Sequence, residues 1–197
     1  MKFFLSFFLI LNVINLSVGQ DKNHELSIRD TTDYMYWESL SSLCGKSFLG
    51  TIVAGPPNDT AFEGKQLVMH VKKCSENQIK IPFFVGNNRS RTWVLTKTAT
   101  GIELKHDHRH QDGSPDKITM YGGHSSNNGN KTRQLFPADQ ETANIIPAAI
   151  GNIWWIDINN DSFIYNLRRV NTDRLFSVRF DITKPIENPG SPWGWKD

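Results

Sequence analysis

Residues 91–110 read RTWVLTKTATGIELKHDHRH, and this stretch decides the fold. Two runs with a period near two, 91–98 and 101–110, are joined by the turn-like TATG, which predicts an antiparallel strand pair. The same pattern recurs along most of the chain. It predicts further strands at 46–54 (KSFLGTIVA), 64–73 (GKQLVMHVKK), 78–85 (QIKIPFFV), 117–122 (KITMYG), 152–158 (NIWWIDI), 162–169 (SFIYNLRR) and 174–182 (RLFSVRFDI). Turn-rich breaks such as AGPPND, CSEN, GNNRS, QDGSPD and NNDS separate them. About nine short strands with tight connections predict an all-β, single antiparallel up-and-down β-barrel, because closure removes exposed edges. One long connection, 123–151, interrupts the meander and is expected to act as a lid or binding loop over the barrel mouth.

Upstream of the strands, 31–43 (TTDYMYWESLSSL) predicts the one short N-terminal helix. Thr31 or Thr32 supplies a cap, Trp37, Leu40 and Leu43 share a packing face, and Gly45 follows as a stop. The Pro/Trp-rich tail 184–197 cannot be a strand throughout, and Trp193 and Trp195 are expected to fold back on the body. Residues 1–19, MKFFLSFFLILNVINLSVG, combine a charged start, a short apolar core and small residues before Gln20. This predicts a secretory signal peptide rather than a spanning helix, because Asn12 and Asn15 interrupt a core shorter than the ~20 apolar residues a span needs. The remaining chain, 20–197, is read as one domain with a flexible 20–30 segment, exported to the periplasm or secreted.

The 22 basic residues less Lys2, against 20 acidic, leave the exported part close to neutral. That balance argues against nucleic acid as a partner, and no later segment predicts a membrane span. The only cysteines are Cys44 and Cys74. In an oxidising compartment they are expected to pair in a disulfide, the alternative being two buried thiols. Asn58, Asn88, Asn130 and Asn160 head glycosylation sequons, which matter only in a host that glycosylates.

The candidate site follows from alternation in 101–110. Ile102, Leu104, His106, His108 and His110 share one face, and Glu103, Lys105, Asp107 and Arg109 the other. The charged face is expected to meet solvent. The histidine face begins apolar and turns polar, as a strand does when it runs from a packed barrel floor to a wet mouth. Alternate residues stand about 7 Å apart, so two neighbouring imidazoles can converge on a zinc or other divalent ion but three in a row cannot. His106 and His108 are therefore read as a metal pair with His124 as third ligand, the register placing His124 beside Leu104. Asp112 and Asp116 are alternatives. Without metal, His106, His108 and His110 would line a polar ligand-contacting mouth, or serve only as a solvated rim. Arg91 and Trp93 are further ligand-binding candidates, Arg89 and Arg91 being suited to a carboxylate or phosphate if they are not simply part of a solvated turn. His70 alternates away from this space. Of Arg168 and Arg169 at most one faces inward. Trp93, Trp154 and Trp155 read as wall residues.

Several stretches together, GKQLVMHVKKC, IPFFVGNNRSRTWVLTKT, LKHDHRHQDGSPDKITMYGG, RQLFPAD and FDITKPIENPGSPWGW, resemble a family of exported bacterial proteins. The resemblance spans about 36–195, with the KHDHRH-x-DG run and the closing PWGW its most specific parts. It implies a bacterial, periplasmic setting and no particular activity. The meander is also similar, by analogy, to calycins, the lipocalin-type binding barrels, although their Gly-x-Trp is absent where Gly45 is followed by Lys46 and Ser47.

Taken together, these features predict an exported barrel binding a small molecule or a metal at a His-lined mouth, with haem as a variant ligand. The alternatives are a metal-dependent hydrolase at the same cluster and an envelope structural or interaction protein.

Overall fold

A computed structural model describes residues 33–56, 60–126 and 129–195. The expected signal peptide, the expected flexible 20–30 segment, the expected Thr31/Thr32 cap and the Asn58 sequon lie outside the described residues. The chain folds as an all-β antiparallel barrel with a short N-terminal helix, α1, over 33–41. The strands are β1 (Ser47–Ala54), β2 (Leu67–His70), β3 (Lys73–Cys74), β4 (Gln78–Val85), β5 (Asn88–Thr98), β6 (Gly101–His108), β7 (Tyr121–His124), β8 (Arg133–Pro137), β9 (Asn152–Ile158), β10 (Ser162–Arg169) and β11 (Leu175–Asp181). A second helix, α2 (Gln140–Ile145), and a 3-10 turn, Pro147–Ala149, lie between β8 and β9.

Sequential neighbours pair around the barrel, and first strand meets last in the β1–β11 ladder, Gly50 opposite Phe180. The strand order leaves one seam, between β7 and β8. There β7 and β8 pack side by side without a ladder, and α2 supplies the missing partners. Thr142 Oγ1 accepts the Gly122 N–H at 2.6 Å and donates to the Gly122 carbonyl at 2.7 Å. The Asp139 N–H donates to the same carbonyl. Lys105 of β6 reaches over the seam to Asp139 at 2.7 Å and to Glu141. Close approach demands glycine: a Cβ on Gly123 would lie 1.7 Å from the Pro137 carbonyl oxygen.

The core fills the half of the barrel beneath α1. Phe48, Leu95, Ile102, Ile156, Phe163 and Phe180 meet there as inward positions of alternating strands. Tyr36, Trp37, Leu40 and Leu43 are buried against them, and Tyr36 donates to the Ile156 carbonyl. Gly45, at φ +80°, ends this segment, and the Cys44–Cys74 disulfide fastens it to β3. The tail folds back over the outside of β4 and β5. Trp193 N–H donates to the Arg89 carbonyl, and Lys80 lies over the Trp195 ring. No helix among the described residues is long and apolar enough to cross a membrane.

Several expected boundaries move. The strand expected at 64–73 is two, β2 and β3, because they pair with β4 on either side of Pro82, which has no N–H for a ladder bond. The strand expected at 117–122 is instead 121–124. Turns centred on Asp112 and Asp116 occupy the preceding stretch, and Met120 takes φ +56°. The connection 123–151 is no free lid: it contributes the end of β7, all of β8 and α2 to the barrel wall. The charged face of β6 is only partly solvated, with Glu103 and Arg109 half-exposed. Lys105 and Asp107 are buried, the first paired across the seam and the second with Arg109.

Candidate functional site

Above the packed half the barrel is hollow. A cavity of about 330 Å3 opens at the end away from α1, where β5 begins and β6 ends. Its walls come from inward positions already aligned by register. Trp93 faces His106 and Arg91 faces His108 across β5–β6, while Tyr121 stands opposite His106 on β7. Trp154 and Tyr165 come from β9 and β10, and Ile146 and Ala149, beside α2, border the mouth. One part of the long connection therefore does reach the mouth.

The floor is a hydrogen-bonded aromatic cluster. His106 Nδ1 lies 3.0 Å from the Tyr121 carbonyl, which only accepts, so Nδ1 carries the proton. Its Nε2 is then the acceptor for the Tyr165 hydroxyl at 2.7 Å. Rings stack through the cluster, Phe83 on Trp93 at 4.8 Å, Trp93 on Tyr165 at 4.4 Å and His106 on Tyr121 at 4.7 Å between centroids. Burial pushes the His106 pKa down to about 3, and burial raises that of Tyr165 well above its ordinary range, so both are neutral. His108 stands nearer the mouth, 3.0 Å from the Tyr121 hydroxyl. Burial, then the charge of Arg91, lowers its pKa to about 4. Burial raises Tyr121 to about 12.

The predicted residues thus part company. His106, His108, Arg91 and Trp93 do line one cavity. His110 does not: β6 ends at His108, and His110 is exposed in the turn, where its backbone bonds Ser114 and Gly113. His124 is paired with Glu103, one position from the expected register, so its side chain lies on the outer face and meets Thr98 Oγ1 at 2.7 Å. The imidazoles of His106, His108 and His124 are therefore not brought together, and both nitrogens of His106 are engaged within the protein. Asp112 and Asp116 cap turns outside the cavity. His70 is buried but not in this space, Arg169 rather than Arg168 faces in, and Trp155 alternates away from the wall formed by Trp154.

Sequence reasoning did not single out Tyr121, Tyr165 or Arg174. Tyr165 was within reach of it, since it shares the inward face of Phe163 and Leu167 in a regular strand. The strand expected at 117–122 puts Tyr121 on its outer face, and Arg174, though it has the parity of Phe176 and Val178, is only the terminal residue of the strand expected at 174–182. Comparison of the chain with family models, curated proteins and solved structures finds no match.

Proposed function

We propose that this chain is an exported bacterial protein that holds one small organic molecule in the mouth cavity of its barrel. The cavity carries the reading. Its volume of about 330 Å3 falls at the lower end of ligand pockets, which are mostly apolar with a few placed polar groups. The satisfied floor supports it further. His106 and Tyr165 are already hydrogen-bonded to each other and Trp93 stacks on Tyr165, so this part of the wall is set before a ligand arrives. Export is supported by the leader-like residues 1–19 and by the disulfide, since such bonds persist in oxidising compartments. The proposed small-molecule site uses the cavity as it stands and calls on no metal or haem.

Titration with the neutral fluorophore N-phenyl-1-naphthylamine tests it. Fluorescence should rise saturably, and Leu167→Trp, which adds bulk to the cavity wall, should abolish the rise. Equal binding by both proteins would place the site elsewhere. No binding by either would favour the structural or interaction reading. Amino-terminal sequencing of protein recovered outside the cytoplasm should begin near Gln20; an intact Met1 would remove the export part.

A further inference from the structure

We propose that the molecule held here is a carboxylate on a flat apolar body, its acid group received by Arg91, Arg169 and Arg174 at the mouth. This rests on the ligand-binding reading above and adds the chemistry of the ligand to it.

The three arginines all line the cavity, and among the described residues no aspartate or glutamate does. Outside the cavity Arg109 pairs with Asp107, Arg133 with Asp157 and Arg179 with Asp161, while Arg89 donates to the Ser191 carbonyl and lies over the Phe84 ring, and Arg168 is exposed. Among the described residues, Arg91, Arg169 and Arg174 have no carboxylate partner. Two of them are instead oriented by neutral amides. Arg91 donates to Asn88 Oδ1 at 3.0 Å and Arg169 to Asn152 Oδ1 at 2.8 Å. One N–H of each fork is thereby used, its direction is set, and its charge is left uncompensated.

Arg91 and Arg169 are half-buried, and Arg174 is exposed at the rim. Burial disfavours the charged form of Arg91, while for Arg169 burial and then the nearby charge of Arg174 do so. The charges of Arg91 and Arg174 both act on the Tyr121 hydroxyl, opposed by the more weakly acting carboxylate of Asp116. An anion there would relieve like-charge crowding, and the planar guanidinium fork matches a carboxylate with two parallel bonds. His108 adds no cation to the site, because its pKa is lowered to about 4. The floor offers the opposite chemistry: stacked rings among which the polar atoms of His106, Tyr165 and Tyr121 are already engaged. A ligand would therefore enter with its apolar body on Trp93 and Trp154 and its acid group towards the rim.

Paired probes separate charge from shape. Benzoate, naphthalene-2-carboxylate and decanoate would each be titrated calorimetrically beside the corresponding neutral amide. At least one acid should bind about tenfold or more tightly than its amide, with affinity falling as salt rises. Arg91→Gln and Arg169→Gln should each remove most of that preference while leaving amide binding in place, which also reports that the variants fold. Acid and amide binding alike, or an acid preference that survives both substitutions, would overturn the inference and leave the ligand-binding reading standing. Failure of all six probes to bind would overturn both.

Discussion

The Tyr165 hydroxyl lies 2.7 Å from Nε2 of His106 and serves as the donor to that imidazole inside the barrel. The contact joins β10 to β6 across the interior, strands that are not neighbours in the sheet. It also divides the barrel into a packed half and a hollow half, with the neutral pair as the boundary. A buried acceptor with a single donor is a point of dependence, because water cannot replace the donor without entering the core.

Tyr165→Phe keeps the ring and removes only the hydroxyl. His106 Nε2 then loses its donor in a buried site, at a cost of about 1–3 kcal/mol. Urea unfolding of the two proteins should show that loss with an unchanged m-value. Equal stability would mean that the bond contributes nothing and that the boundary is held by ring packing alone.

The barrel was legible where alternation was regular. β9 alternates Asn152, Trp154, Ile156 and Ile158 inward, so both its existence and its buried face follow from the residues. β8 escaped notice because RQLFP buries Gln134 and ends in proline, leaving too short an apolar signal. The face of His124 was misread for a backbone reason. A continuous strand through Met120 would have set its parity, but the positive φ at Met120 breaks the strand before Tyr121. Lys105 and Asp107 defied the rule that charge meets solvent because they have partners in segments that alternation does not reveal, Asp139 and Glu141 past the seam for Lys105 and Thr119 in the turn for Asp107. In the site, the strand histidines and Arg91 were visible, whereas the approach of Arg169 and Arg174 to the same cavity depended on which strands close on each other.

The seam between β7 and β8 is held by one side chain more than any other. Thr142→Val preserves shape but removes the hydroxyl that both accepts from and donates to Gly122. The Gly122 N–H is left without its partner, so stability should fall by about 1–3 kcal/mol. Amide exchange at Gly122 and Gly123 should accelerate more than exchange in β9 or β10. Uniform exchange across the barrel would show that the seam is not a separate weak point. Gly123→Ala should be worse than Thr142→Val, since its Cβ would meet the Pro137 carbonyl oxygen.

The Cys44–Cys74 bond spans 30 positions and fixes the turn after α1 to β3. Replacing both cysteines with serine should lower stability by about 3–4 kcal/mol if the bond acts by restricting the unfolded chain. The m-value should rise, because the unfolded chain is then less compact. Near-ultraviolet circular dichroism should still report packed aromatic rings, since the barrel ladders do not depend on the link. A loss below 1 kcal/mol would show that Trp37, Leu40 and Leu43 hold the helix without it.

Acid should weaken the fold before any carboxylate titrates. In the unfolded chain His106 takes up a proton near its ordinary value of 6.5, while in the barrel burial holds it neutral down to about 3. The unfolded state therefore binds more protons between those values, and stability falls as pH is lowered through that window. It is fully present above about 6.5, and His106 alone contributes a slope of about 1.4 kcal/mol per pH unit. His108, lowered to about 4 and nearer the solvent, adds a smaller slope of the same sign. Asp139 and Asp181, whose pKa values are depressed, act only at lower pH. Urea midpoints between pH 7 and 4.5 should thus decline, and His106→Gln should lessen the decline while lowering stability at pH 7. A flat profile over that range would mean that the unfolded chain and the barrel protonate His106 alike, which a ring sealed between Tyr121, Tyr165 and Trp154 does not permit.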